Sequence, residues 1–362
     1  MRATISDHPR TTLRLVPALA AALLAGCQSI GPGSVQRDRM DYAGAIAGSW
    51  REQTLLNIVK LRYFDAPVFL EVSSVISSYT LQSEVSLASR IFPRSPGDTF
   101  RELGASGTYT DRPTISYTPV TGKEYIEKLL RPIPPQAIFA MIQAGHPADY
   151  ILPLTVRAIN DVFNYSASPA RMRREDPAFV QVIDALRRIQ QAGALGIRIE
   201  RRGKEGETLI FFREKVDPDV EKDIRSVKDA LGIKPEITEI RLTSGSTRRG
   251  SDEIALLTRS MWEVLAELST GVEVPEQDVA EGRATATPRL SGRPRAFPIA
   301  HIHSSGEPPP DAYIAARYRD RWFWIDDRDL GSKRVFTFLM VFSSIAETGA
   351  VPQVPILTIP AN

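Results

Sequence analysis

Residues 312–346 read AYIAARYRDRWFWIDDRDLGSKRVFTFLMVFSSIA. Tyr313–Tyr318 and Arg321–Ile325 read as two strands, and Arg319-Asp320 between them suits a tight turn. A helix from about Ser332 to Ala346 follows, apolar on nearly every side, which marks a buried element. At about 14 residues it is too short to cross a bilayer, which takes about 20. A last strand is expected near Val354–Ile359. A hairpin running straight into a helix sets the class as α+β, with antiparallel sheet and hairpin elements interspersed with amphipathic helices, rather than a doubly wound parallel sheet.

The same grammar recurs upstream. Asp176-Pro177 and Asp217-Pro218 each pair an N-cap with a proline at the first helical position. Phe179, Val182, Ile183, Leu186 and Ile189 line the first of these helices, which Gly193 ends; Val220, Ile224, Val227 and Leu231 line the second, which Gly232 closes. Between them LGIRIER (195–201) and TLIFFRE (208–214) form a hairpin. EITEIRL (236–242) is a short strand, and Ser251 is placed to cap a helix carrying Ile254, Leu257, Met261, Val264, Leu265 and Leu268. Prolines divide the preceding region into helices at Lys123–Leu130, Pro135–Ala144 and Ala148–Phe163. Residues 271–311, rich in Pro and Gly, read as a loop.

Val75–Ile91 alternates. Val75, Tyr79, Leu81, Val85, Leu87 and Ile91 share one face, and Ile76, Ser78, Thr80, Gln82, Glu84, Ser86 and Arg90 the other, which is mostly polar. The loop FPRSPGD (92–98) leads to a second β-like run, Gly104–Val120, interrupted by Gly107, Asp111 and Pro113. Together they describe a long hairpin with one apolar face. Two readings stand: a sheet packed on helices with its polar side in water, or a hairpin that several copies donate to a membrane barrel.

The N-terminus carries Arg2, Arg10 and Arg14, then an apolar run Leu15–Leu24 too short to span, then Leu24-Ala25-Gly26-Cys27. This is the order of a secretory signal, and its end resembles the bacterial lipobox. That resemblance implies removal of residues 1–26 and acylation (diacylglyceryl and palmitate chains) at Cys27, the chain's sole cysteine. Gln28, in place of Asp, implies sorting to the outer membrane. Residues 27–40 then form a tether, and Asp41 caps a helix to about Arg62 with Leu55, Leu56, Val59 and Tyr63 on one stripe. The remaining regions divide as 41–165, holding the long hairpin; 166–270, helix and hairpin; the loop 271–311; and a C-terminal ββαβ region, 312–362.

The net charge of +2 comes from the leader: its three arginines and one aspartate account for the whole excess, leaving 42 residues of each sign after it. A neutral body argues against nucleic acid as partner. Arg198, Arg201, Arg202 and Lys204 are therefore a solvated turn or a protein-docking wing.

No nucleophile elbow, phosphate loop, dinucleotide fingerprint or zinc motif occurs, so no catalytic, cofactor or metal residues are assigned. His301 and His303 would share a strand face, but nothing at ligand spacing completes a metal site. The densest cluster is Arg317, Arg321, Trp322, Trp324, Asp326, Asp327, Arg328 and Asp329. It reads as an ion-pair network capping the last helix, with Asp329 at the positive end of its dipole, or as a partner or ligand site anchored by the tryptophans.

SWREQTLLNIVKLRY (49–63), DRPTISYTP (111–119) and RWFWIDDRDLGSKR (321–334) resemble a group of uncharacterised proteobacterial lipoproteins, which implies no activity. The leading expectation is a non-enzymatic, periplasm-facing binding or scaffold protein, held on the membrane by lipid on Cys27 and contacting other envelope proteins. The alternatives are an oligomeric outer-membrane transport or pore component donating the 75–120 hairpin, and a periplasmic enzyme acting on cell wall or lipid.

Overall fold

A computed structural model describes residues 35–76, 79–91, 99–111, 114–166, 173–202, 205–213, 215–287 and 300–346. The lipobox and the strand expected at 354–359 lie outside them. The chain divides into two compact units, Met1–Glu52 and Gln53–Asn362. The fold is α+β, with antiparallel and mixed sheets.

Helix α1 (Val35–Arg62) begins before Asp41, so residues 35–40 of the expected tether are helical. Gly33 is the last glycine before it, and Gln36, Arg37, Arg39 and Met40 are good helix formers. In its C-terminal part Leu55, Ile58, Val59 and Tyr63 are buried, while Leu56 is only half-buried. Gln53 and Asn57, one turn apart, each use both ends of the side-chain amide. Gln53 accepts from Leu70 N and donates to Leu70 O, and Asn57 does the same at Val68, all within 2.6–3.0 Å. Two amides thus continue a ladder along the strand that leaves the helix.

That strand opens a long ribbon. Strand β1 (Leu70–Ile76) pairs with β4 (Thr114–Pro119), and β2 (Tyr79–Ile91) with β3 (Thr99–Asp111), both antiparallel. Ile76 lies opposite Thr114 and Tyr79 opposite Asp111, so the register does not slip between the two segments. Gly107 stays in register opposite Ser83, so it does not interrupt the strand. A bulge between Val72 and Ser74 absorbs one extra residue. Without it, the apolar set would change faces beyond that point.

A short helix α2 (Gly122–Tyr125) continues as a π-helical turn, Ile126–Leu130. Then come α3 (Pro135–Gln143), α4 (Ala148–Thr155), β5 (Val156–Ile159), β6 (Val162–Phe163), α5 (Pro177–Gln191), β7 (Leu195–Arg202), β8 (Glu205–Phe212), α6 (Pro218–Ala230), β9 (Glu239–Ser244), β10 (Glu253–Thr258) and α7 (Met261–Ser269). The strands form one sheet in the order β6-β5-β10-β9-β8-β7, antiparallel except for β9 with β10. This sheet joins strands from both sides of residue 165. The β7–β8 hairpin belongs to it, because β8 also pairs with β9.

Two expected helices are partly strand. Ala148–Phe163 stops being helical at Thr155, where the β-branched Val156 enters β5; Asn160 and Asp161, at φ 46° and 64°, then make the turn into β6. The helix expected from Ser251 starts at Met261, because Ile254–Leu257 occupy the slot between β9 and β5. Its cap is Ser260, which accepts from Glu263 N while Glu263 accepts from Ser260 N, a reciprocal capping box.

Among the described residues the largest fully buried side chain is Arg259. Its guanidinium donates to Pro153 O (2.6 Å), Leu154 O (3.1 Å) and Tyr165 O (2.6 Å), with Glu267 at 3.9 Å. Its N–H donates to Thr155 O and its carbonyl accepts from Ile133 N. Burial lowers its pKa, opposed by Glu267 and Glu263.

The final elements are α8 (Glu276–Ala280), β11 (His303–Ser305), β12 (Ala312–Tyr318), β13 (Arg321–Asp326) and α9 (Leu330–Ala346). The region 271–311 is thus structured at both ends. The strands form a sheet in the order β11-β13-β12, and Arg319 and Asp320, at φ 48° and 60°, form the tight turn. Helix α9 buries Val335, Phe336, Phe338, Leu339, Met340 and Phe342 but leaves Val341 40% exposed, so it is not buried all round. Among the described residues no helix is long and apolar enough to cross a membrane.

Replacing Arg259 by Ala removes three hydrogen bonds to carbonyls and the buried cation facing Glu267 and is expected to cost about 3–5 kcal/mol. Ser260→Ala, which removes only a cap, is expected to cost about 1 kcal/mol. Urea unfolding of both variants measures the contrast.

Candidate functional site

The alternation of β12 and β13 divides the sequence-predicted cluster. Ile314, Ala316, Phe323 and Ile325 are buried, whereas Trp322, Trp324 and Asp326 are half-buried and Arg317 is exposed. Register sets Trp324 between His303 and Ala315, and Trp322 between Ser305 and Arg317. The outer face of this sheet therefore collects both tryptophans with His303 and Arg317. The His303 and Trp324 rings lie 4.9 Å apart, and His303 Nδ1 is 2.9 Å from Glu273 Oε1, whose other oxygen accepts from Ser304 N. Trp324 Nε1 is buried and has no hydrogen-bond partner among the described residues.

The carboxylates have local partners. Asp326 accepts from Arg328 N, Arg328 pairs with Asp311 at 2.5 Å, and Lys333 with Asp327 at 2.6 Å. Arg317 meets Asp320 at 3.2 Å on the exposed turn, and Arg321 lies opposite Tyr318 in register. Asp329 precedes α9 and accepts from both Ser332 N and Ser332 Oγ, a side-chain cap; Ser332 Oγ in turn accepts from His301 N. Partial burial pushes the Asp329 carboxyl upward, but these Ser332 bonds, His301 at 3.8 Å and Gly331 N–H outweigh it and hold the pKa below the usual range. His301 and His303 serve different carboxylates, and no group of three or more metal-ligating side chains occurs among the described residues.

A second knot went unnoticed in the sequence. Tyr63 donates to Asp278 Oδ2 at 2.6 Å, Tyr318 donates to Asp65, and Arg319 meets Asp65 at 3.1 Å. Arg319 also lies 5.1 and 5.3 Å from the Tyr63 and Tyr318 ring centres, within cation–π range. The Tyr318 hydrogen bond lowers the Asp65 pKa; burial, then Asp65, pushes Tyr318 up to about 12. These residues come from three distant segments, and their separate contexts carry no motif.

No protein-family model matches the chain, no curated protein is significantly similar to it, and no solved structure matches its fold.

Because the folded pKa of Asp329 is depressed, its contribution to stability is present above the unfolded carboxylate value, about 4, and is lost as pH falls through the folded value. Asp329→Ala is therefore expected to lower the melting temperature at pH 7, with the gap to wild type narrowing below pH 4. A constant gap across that range would assign Asp329 no cap-specific role.

Proposed function

We propose that the chain is an envelope lipoprotein, anchored by lipid on Cys27 to the outer membrane, with a periplasm-facing body that binds or scaffolds other envelope proteins without catalysing a reaction. The observation carrying this reading is Leu24-Ala25-Gly26-Cys27 placed directly after a basic start and a short apolar run, with no second cysteine in the chain. One thiol in an exported chain has no disulfide partner, and acylation gives it a use. Each buried CH2 contributes about 0.8 kcal/mol, so two or more acyl chains anchor a protein stably.

The outer face of the C-terminal sheet is where we place partner contact. Half-buried tryptophans beside an exposed arginine are residue types enriched at binding hot spots. The carboxylates near Asp326 are engaged by neighbouring cations and backbone N–H groups, which favours a structural role over the enzyme reading.

Cys27→Ala, exported through a leader lacking a lipobox, is expected to leave the membrane fraction for the soluble periplasm and to lose labelled palmitate. Retention on the membrane without label would overturn the lipid-anchor reading. Trp322→Ala with Trp324→Ala is expected to weaken partner capture by the lipidated protein at least tenfold without removing it from the membrane.

A further inference from the structure

The β1–β4 and β2–β3 pairs are two-stranded antiparallel segments that keep the same register, and no further strand joins either edge among the described residues. Leu70, Val72 and Val75 lie opposite Pro119, Tyr117 and Ile115, which places these six on one face. At this base the face is open: Leu70 is 40%, Ile115 39% and Tyr117 54% exposed. The other side turns toward the body, where Lys128 pairs with Glu71 and the Phe69 and Tyr125 rings lie 6.3 Å apart. The same register continues this face through the positions of Leu81 opposite Tyr109, Val85 opposite Ala105 and Leu87 opposite Leu103. On the opposite face Gln82, Ser106 and Thr108 are exposed.

A lone two-stranded ribbon is at best marginally stable in water; it needs more strands or a packed face. We propose that the occupant of this face is the same face of a second copy, the two ribbons stacked face to face and parallel as a four-stranded, two-layer sandwich about a twofold axis along their length. The dimensions fit. About 20 residue positions at about 3.4 Å, across two strands about 4.8 Å apart, give roughly 650 Å² per copy and about 1,300 Å² for the pair, within the range of stable interfaces, about 1,200–2,000 Å². Charge also fits: along β2 and β3 the face carries only Arg101 and Asp111, and the parallel arrangement sets them against the partner's Ser89 and Tyr79 positions, so no like charges meet. A bilayer is the poorer occupant, because two unpaired edges cannot enter hydrocarbon without closure. This inference does not depend on lipid at Cys27.

The test uses the full-length chain carrying Cys27→Ala, sized by light scattering without detergent. A dimer is expected, and Val85→Asp or Leu87→Asp should reduce it to monomer while Gln82→Asp leaves it intact. A single cysteine at Ser83 should couple two copies through a short bismaleimide, and one at Gln82 should not. If the aspartate variants fail to fold, that cross-linking contrast decides alone. A wild-type monomer, equal cross-linking from both positions, or a membrane-bound ring that only detergent releases would each overturn the proposal.

Discussion

The fold depends on a cation placed where no water reaches. Arg259 satisfies the carbonyls of Pro153 and Leu154 in the last turn of α4, groups that helix geometry leaves without intrahelical donors. Its backbone N–H closes the next carbonyl, Thr155. One residue thus ends α4, fixes where β5 begins and ties both to the junction of β10 and α7. Burying a guanidinium is costly unless its donors are met, and here three carbonyls and Glu267 surround it. Ser166 completes the arrangement by donating to Glu267.

The parallel pair β9–β10 shows the same economy. A parallel crossover usually takes a dozen or more residues and a helix, but only residues 245–252 separate these strands. The return is pinned at several points. Arg248 donates to the carbonyls of Leu231 and Gly232 at the end of α6, and Glu253 accepts from Arg249 N. Asn160, in a left-handed turn, bridges Leu231, Glu253 and Ala255. A Cβ at Gly232 would lie 2.6 Å from the Arg248 guanidinium, and its φ of 63° favours glycine independently.

Local signals were legible where they decide structure locally. Asp-Pro starts and glycine stops located α5 and α6, and the Arg319-Asp320 turn fixed the last hairpin. The failures share one cause. Ile254–Leu257 is a short apolar run whose periodicity does not separate strand from helix, and the sheet decided it; Ser260 with Glu263 was the sequence signal that marked the true helix start. Val156–Ile159 is the same case beside Pro153. The cluster at 317–329 was recognisable as dense in charge, but only register shows that tryptophans, His303 and Arg317 share a face while the aspartates turn to local partners. The Tyr63, Asp65, Tyr318 and Arg319 knot had no sequence signal, because cross-segment pairs leave no local pattern.

Polar satisfaction is unevenly distributed. Around Arg259 and Asn160, buried groups find partners in adjoining elements, which makes this region a rigid frame. The ribbon differs: its base is held by the Gln53 and Asn57 amides, while its apolar face has no cover among the described residues at Leu70, Ile115 and Tyr117. The Trp324 indole N–H is likewise without a partner there. An exposed contiguous apolar face and a buried donor with no acceptor both cost stability. Packing arguments alone would have replaced Tyr117 by a polar residue and Trp324 by Phe. Both features therefore cost stability in the isolated chain, and a covering surface at either one would offset that cost.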